Sequence, residues 1–270
     1  MNKRVDRFKL ETMVANPAIV MIAKRGTGKS YITRDIVYHY RSLPGGVVIS
    51  PTDRLSGFYK FFFPDLYIHY DIRGEILQRI LERQTLMIQK AQKKKKEGKK
   101  VDPSGILIMD DCLANKQGWV KDKKIDEVLM NGRHYQLTYL LTMQSPLGIP
   151  PHLRMNFDYA FLLKEDSAIN KKKLYLNYAS IFSSQYLFEK YFSLCTSDYC
   201  SMVVDNRTVQ DGIERKIFWF KAEKRKFRFG SKSFYEFHKK YYDPNNAQRK
   251  LCNINLRNRK SDDIKVEKIK

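Results

Sequence analysis

The stretch AIVMIAKRGTGKSYI, residues 18–32, decides how the rest of the chain is read. Ala18 to Ile22 is a short apolar run rich in β-branched residues and predicts a buried strand. It leads into Ala23-Lys24-Arg25-Gly26-Thr27-Gly28-Lys29-Ser30, which fits the phosphate-loop pattern G-x-x-x-x-G-K-[ST] at every position but the first. Gly26 and Gly28 supply the backbone freedom and close approach that let N–H groups turn inward around phosphates. Lys29 reaches the β- and γ-phosphates as a point charge, and the Ser30 hydroxyl suits Mg²⁺. The following helix turns its N-terminus toward the anion. Ala23 has only to lead the chain out of the strand, which alanine does at negative φ. The expected nucleotide-binding set is therefore Lys24, Arg25, Gly26, Thr27, Gly28, Lys29, Ser30 and Tyr31. The competing reading is a chance G-T-G-K-S between a strand and a helix, and a second motif weighs against it.

A phosphate loop of this kind needs a carboxylate for the metal at the end of a neighbouring apolar strand. ILIMDD, residues 106–111, supplies one: Asp110 is placed for Mg²⁺ and Asp111 for polarising an attacking water. Taken alone, two acids ending a strand are as easily a solvated turn. Gln144 closes the next apolar run, where its amide offers donor and acceptor together to a γ-phosphate and a water. A polar residue at that position is otherwise ordinary. Asn115-Lys116-Gln117-Gly118 lacks the aspartate that would read guanine, which leaves ATP as the default nucleotide.

Around these motifs, strands and helices alternate. Strands are expected at 18–22, 47–50, 105–111, 137–144, 158–163, 201–204 and 216–220, and helices from the loop to about 42 and over 72–92, 123–132, 167–178 and 184–195. Fully apolar strands alternating with helices predict an α/β fold with a mostly parallel sheet covered on both faces. KKKKEGKK, residues 93–100, reads as a solvated loop or a DNA contact. No internal repeat is visible. From 223 onward the chain turns basic and aromatic, and after Pro244 it is expected to be largely unstructured. This divides it into an ATPase domain over 1–222 and a C-terminal extension over 223–270.

Composition narrows the partners. Against 29 Asp and Glu stand 51 Lys and Arg, a formal net charge of +22 on 270 residues. Such a surplus favours nucleic acid first and an anionic membrane second, unless the whole source proteome is basic. With 43% hydrophobic and 13% aromatic residues, a disordered chain is excluded for most of the length. No apolar run approaches the ~20 residues of a membrane span, and MNKRVDRFKLETMV lacks a signal-peptide core. Cys112, Cys195, Cys200 and Cys252 are spaced irregularly and read as reduced, mostly buried thiols. The chain reads as soluble and intracellular.

With these residues in place, the chain resembles the genome-packaging ATPases of nucleocytoplasmic large DNA viruses, the poxvirus-type branch of the FtsK–HerA superfamily. The resemblance spans about residues 15–222. It rests on AKRGTGKS (Walker A), ILIMDD (Walker B) and above all MNGRHYQLTYLLTMQSPLGIPPHLRMNFDYAFLLKE, residues 130–165, with NKKKLYLNYASIF (170–182) and KIFWFKA (216–222) in support. Alanine replaces the first loop glycine, and Asp111 stands where many superfamily members carry glutamate.

The resemblance implies a RecA-like core of the additional-strand (ASCE) type, in which the Gln144 strand lies between the phosphate-loop and ILIMDD strands. It also implies a homo-oligomeric ring, a hexamer or pentamer, that translocates double-stranded DNA into a capsid at the viral assembly site in the host cytoplasm, or in the virion. Arg154, after the Pro-Pro-x-x turn, would be the arginine finger reaching a neighbour's γ-phosphate, with Arg133 as second candidate. The plain alternative for Arg154 is a salt bridge to Asp158 or a surface position. The tail from 223 would bind DNA, dock on a capsid or inner-membrane viral protein, or pack its aromatics on the core. Two other functions fit the same motifs: a P-loop DNA helicase or other DNA-dependent ATPase, and a nucleotide-gated DNA-binding scaffold with vestigial hydrolysis.

Overall fold

A computed structural model describes residues 4–112, 123–208 and 212–243. Among these residues nine strands form one sheet. In chain order they are β1 (Asp6–Arg7), β2 (Ala18–Ile22), β3 (Gly46–Ile49), β4 (Ile68–His69), β5 (Gly105–Asp110), β6 (Leu137–Met143), β7 (Tyr159–Leu162), β8 (Ser201–Asp205) and β9 (Ile217–Phe220). Their spatial order is β1-β9-β8-β7-β2-β6-β5-β3-β4. From β4 to β7 every pairing is parallel; β8 runs antiparallel to both β7 and β9, and β1 pairs in parallel with β9. The helices are α1 (Lys29–His39), α2 (Asp53–Ser56), α3 (Gly74–Lys96), α4 (Lys123–Asn131), α5 (Pro151–Arg154), α6 (Ala168–Tyr178), α7 (Gln185–Cys195), α8 (Ile213–Lys216) and α9 (Lys232–Tyr241).

Strand alternation sends side chains to two cores, one on each face of the sheet. Val20 and Ile22 of β2, Leu107 and Met109 of β5, and Tyr139 and Leu141 of β6 pack with residues of α3, α4, α6 and α7. Ile19, Met21, Ile106, Ile108 and Leu140 face the other way, toward Ile32 and Ile36 of α1. Both faces are thus covered, which is why the central strands are apolar at most positions, with Thr138, Thr142 and Asp110 as the polar exceptions. The two-residue strands β1 and β4 carry no periodicity and lie outside the expected set. The strand expected at 201–204 is present as β8, but its antiparallel direction leaves no mark in its composition.

Two expectations about the basic segments change. The run Lys93–Lys96 is not a loop: it continues α3, which ends at Glu97 and turns at Gly98 with φ 72°. Lysine is a good helix former, and cations in a last turn complement the helix dipole. Past Gln84 no residue of α3 is buried, so its last three turns project beyond the core. The extension from 223 is attached: Phe227, Phe229 and Phe234 join the α1-face core. Phe229 is fully buried and stacks on Phe63 with ring centroids 4.5 Å apart. Asp35 of α1, almost fully buried, accepts from Glu223 N at 2.8 Å and pairs with Arg225 Nε at 3.0 Å. Of the tail aromatics, Phe227, Phe229, Phe234 and Tyr235 pack on the core, one of the outcomes the sequence left open, whereas Phe237 is exposed. The stretch after Pro244, Cys252 and the guanine-motif position Asn115–Gly118 lie outside the described residues.

If residues 223–243 are structural, Phe229→Ala should cost about 3–5 kcal/mol of unfolding free energy. Chemical denaturation of the full chain measures it, and a cost under about 0.5 kcal/mol, the range of a surface change, would contradict the packing described.

Candidate nucleotide site

The loop after β2 is shaped by its backbone. Ala23 N donates to Met143 O at 2.9 Å, extending the β2–β6 ladder by one residue, and Ala23 needs no positive φ. The chain then turns through Gly26 (φ 78°) and Gly28 (φ 99°), conformations that side-chain-bearing residues rarely adopt. Thr27 turns inward and braces the turn, its hydroxyl donating to Lys24 O at 2.7 Å. Gly28 caps α1 and its carbonyl takes the N–H of Tyr31 at 3.0 Å, so the helical N–H groups of Lys29 and Ser30 are the ones left to face an anion at the helix start.

The neighbouring strands bring the acids. β6 lies between β2 and β5, so Gln144 and Asp110 follow strands one and two places from the loop. Lys29 Nζ sits between the two carboxylates, 3.0 Å from Asp110 Oδ1 and hydrogen-bonded to Asp111 Oδ2. All three side chains are largely shielded from solvent, at 13–17% exposure. Successive strand residues point to opposite faces; Asp111 escapes that rule through a left-handed φ of 50°, which turns its carboxylate to the same side as that of Asp110. Aspartate tolerates this region better than most residues.

Two residues that motif reading passed over hold this arrangement. Thr142 Oγ1 donates to Asp110 Oδ1 and accepts from Asp111 N at 3.2 Å. Ser50, directly after β3, donates to Asp110 Oδ2 at 3.3 Å. Each is a polar residue at the end of an apolar strand, the signal that singled out Gln144. The Gln144 amide donates to Asp111 Oδ2 at 3.2 Å. Buried Cys112 donates its thiol to Ile49 O at 3.2 Å. Burial first, then the two aspartates, pushes that thiol well above its ordinary range. The Tyr59 hydroxyl is buried beside Asp110 yet completes no hydrogen bond of good geometry; burial and then Asp110 keep its phenol protonated.

A cavity of about 760 Å³ opens over the loop and the two aspartates. Lys24, Arg25, Gly26, Gly28, Lys29, Ser30 and Tyr31 form its loop wall, and Asp110, Asp111 and Gln144 its carboxylate wall; Thr52, Asp53, Ser56, Phe58, Tyr199, Lys221 and Ala222 complete it. Cysteines 112, 195 and 200 are buried free thiols. Among the described residues no group of three or more His, Cys, Asp or Glu stands ready to hold a metal. A divalent cation here would draw on Ser30, Asp110 and nucleotide oxygens, the usual arrangement for Mg²⁺. The residues fit that use, because Asp111 Oδ1 is a buried acceptor with no hydrogen-bond partner, free for a water.

The two arginines lie elsewhere. Arg133 pairs with Asp158, whose other oxygen accepts from Ala18 N at 2.8 Å. That places Arg133 at the N-terminal ends of β2 and β7, opposite the phosphate loop. Arg154 does not meet Asp158 at all. Its Nε donates to Ile149 O at 2.9 Å and its Nη1 to Asn177 Oδ1, so the guanidinium is half-buried and fixed.

Strand order, phosphate loop and paired acids together define a RecA-like P-loop NTPase fold. Two solved structures share it. One is the genome packaging NTPase B204 of Sulfolobus turreted icosahedral virus 2 in complex with ATPγS (TM-score 0.52, 16% identity, 78% of this chain and 99% of that one). The other is the pCW3 conjugation coupling protein TcpA with ATPγS (TM-score 0.50, 13% identity, 90% and 65%). No protein-family model matches the chain. Among proteins of known sequence, it is 62% identical to uncharacterised protein L437 of Acanthamoeba polyphaga mimivirus over 88% of its length and 84% of that protein's. It is 33% identical to protein 075L of Invertebrate iridescent virus 6 over 90% and 91%. The chain belongs to this family of proteins from nucleocytoplasmic large DNA viruses.

Thr142→Val keeps the shape of the side chain but removes the donor to Asp110 and the acceptor of Asp111 N. It should cost about 1–3 kcal/mol in urea unfolding. A loss under about 0.5 kcal/mol would show that the hydroxyl supports nothing.

Proposed function

We propose that the chain is an ATP-driven motor subunit that moves double-stranded viral DNA into a capsid, hydrolysing ATP where two subunits of a homo-oligomeric ring meet. The observation that carries this reading is the convergence of Lys29, Asp110, Asp111 and Gln144 on one cavity. That cavity sits on the fold shared with packaging NTPase B204. ATP would seat its phosphates on the backbone of Gly26 to Ser30, with Lys29 leaving the carboxylates for the β- and γ-phosphates. Mg²⁺, on Ser30 and Asp110, would supply charge neutralisation between those phosphates. Asp111 then has its second oxygen free to accept a proton from water, while Gln144 bridges the water and the γ-phosphate.

The charge supports a DNA partner. A net +22 suits phosphate contacts that are independent of sequence, as a translocating ring requires. Among the described residues no helix is long and apolar enough to cross a membrane. A capsid or inner-membrane viral protein at the assembly site is the further partner this reading allows. For the trans arginine, Arg154 is the better candidate. Its fork is held in place by two contacts, and a fixed cation stabilises charge on a transferring phosphoryl group without reorganising. Arg133 lies at the far end of the strands, beside Asp158.

Lys29→Ala and Arg154→Ala should each abolish ATP hydrolysis in homogeneous preparations. Mixing them should restore part of it, because an Arg154→Ala phosphate loop then meets an intact Arg154 from a Lys29→Ala neighbour. Steady-state phosphate release checks this; full activity of either variant alone, or no recovery from mixed rings of confirmed assembly, would contradict the shared site.

A further inference from the structure

The cavity has two ends, and the motifs explain only one. Asp110, Asp111 and Gln144 follow β5 and β6, on one side of β2 in the sheet, and fix where a γ-phosphate must point. A nucleoside triphosphate is a linear molecule, so its base leaves the loop on the other side, toward β7, β8 and β9. The wall there comes from two connections outside the phosphate-loop and acid motifs: the turn between α7 and β8, and the residues just after β9.

Tyr199 lies in that turn. Asp198 and Tyr199 both adopt left-handed backbone, with φ of 49° and 58°. For a tyrosine this is an uncommon conformation that the surroundings must hold. The turn is closed by Cys200 N donating to Ser197 O at 2.9 Å and tied across to β9 by the ion pair of Asp198 with Lys221. Among the described residues nothing covers the ring: Tyr199 is 68% exposed although it sits against the loop. A Cβ placed on Gly28 would come within 3.7 Å of Tyr199 Cβ and 3.8 Å of its ring carbon Cδ1. An exposed aromatic face therefore lines the cavity one step beyond the phosphate-binding backbone, on the side where the base must emerge. Tyr31, the other exposed tyrosine of the cavity, already faces the Arg34 guanidinium, 5.1 Å from its ring centroid.

We propose that Tyr199 is the platform on which the nucleobase stacks, so that the α7–β8 turn forms the base subsite of this chain. The inference rests on the nucleotide reading of the loop. It adds what the loop cannot supply, a contact beyond the phosphates. Stacking on an aromatic face tolerates any base, so this subsite strengthens nucleoside triphosphates over bare polyphosphate without strong selection among bases.

The test compares two probes on the full chain by calorimetry: ATP with Mg²⁺, and inorganic tripolyphosphate with Mg²⁺, which has the phosphates but no base. Tyr199→Ala should weaken ATP by about tenfold, the scale of one base–aromatic stack, and leave tripolyphosphate within about twofold. Tyr199→Trp should retain ATP affinity. Equal loss of both probes would mean that the turn only shapes the loop, and undiminished ATP binding by Tyr199→Ala would remove the platform; either result overturns the proposal while the phosphate site stands. Wild-type protein that binds neither probe would overturn the proposal together with the nucleotide reading beneath it.

Discussion

Lys29 held between Asp110 and Asp111 is the interaction on which the rest of the site depends. Two adjacent carboxylates, both largely shielded from water, repel each other unless a cation lies between them. The lysine reaches that position only because β6 separates β2 from β5 by one strand. Asp111 meets it only because its left-handed backbone breaks strand alternation. Thr142 and Ser50 then fix Asp110 from the two flanking strands, so the carboxylate wall is anchored to three elements of the sheet.

This arrangement is a set of partners open to exchange. Phosphates bring negative charge to the loop and compete for Lys29; a divalent cation brings positive charge to Asp110 and replaces what the lysine gave. In the proposed function, nucleotide and metal arrive together, because either alone would leave a shielded charge without its partner. Gln144 hydrogen-bonds Asp111 directly after β6, and residues 145–154 follow it without a break. Arg154 ends the short helix of that loop.

What the sequence disclosed was local. A phosphate loop is specified by eight consecutive residues, ILIMDD is a strand and its acids in one run, and the central strands carry continuous apolar stretches whose partners do not change their pattern. The tertiary pairings were hidden. Arg154 offered a plausible partner in Asp158, four residues away, but Asp158 lies at the start of β7 and is claimed by Arg133. Lys93–Lys96 looked like a loop because charge marks solvent, and a helix that projects past its core is solvated all round. The aromatics after 223 carried no sign of destination; Phe229 finds Phe63 across more than 160 residues of chain. Thr142 and Tyr199 acquire roles only through contacts with Asp110 and Gly28 that cross the sheet.

The most direct measurement is steady-state ATP turnover of the purified protein with and without long duplex DNA at several salt concentrations. A packaging motor predicts turnover that rises severalfold on adding DNA, with stimulation that fades as salt displaces the phosphate contacts. Turnover indifferent to duplex DNA at low salt, from protein that binds that DNA, would contradict the coupling of this ATP site to movement along nucleic acid.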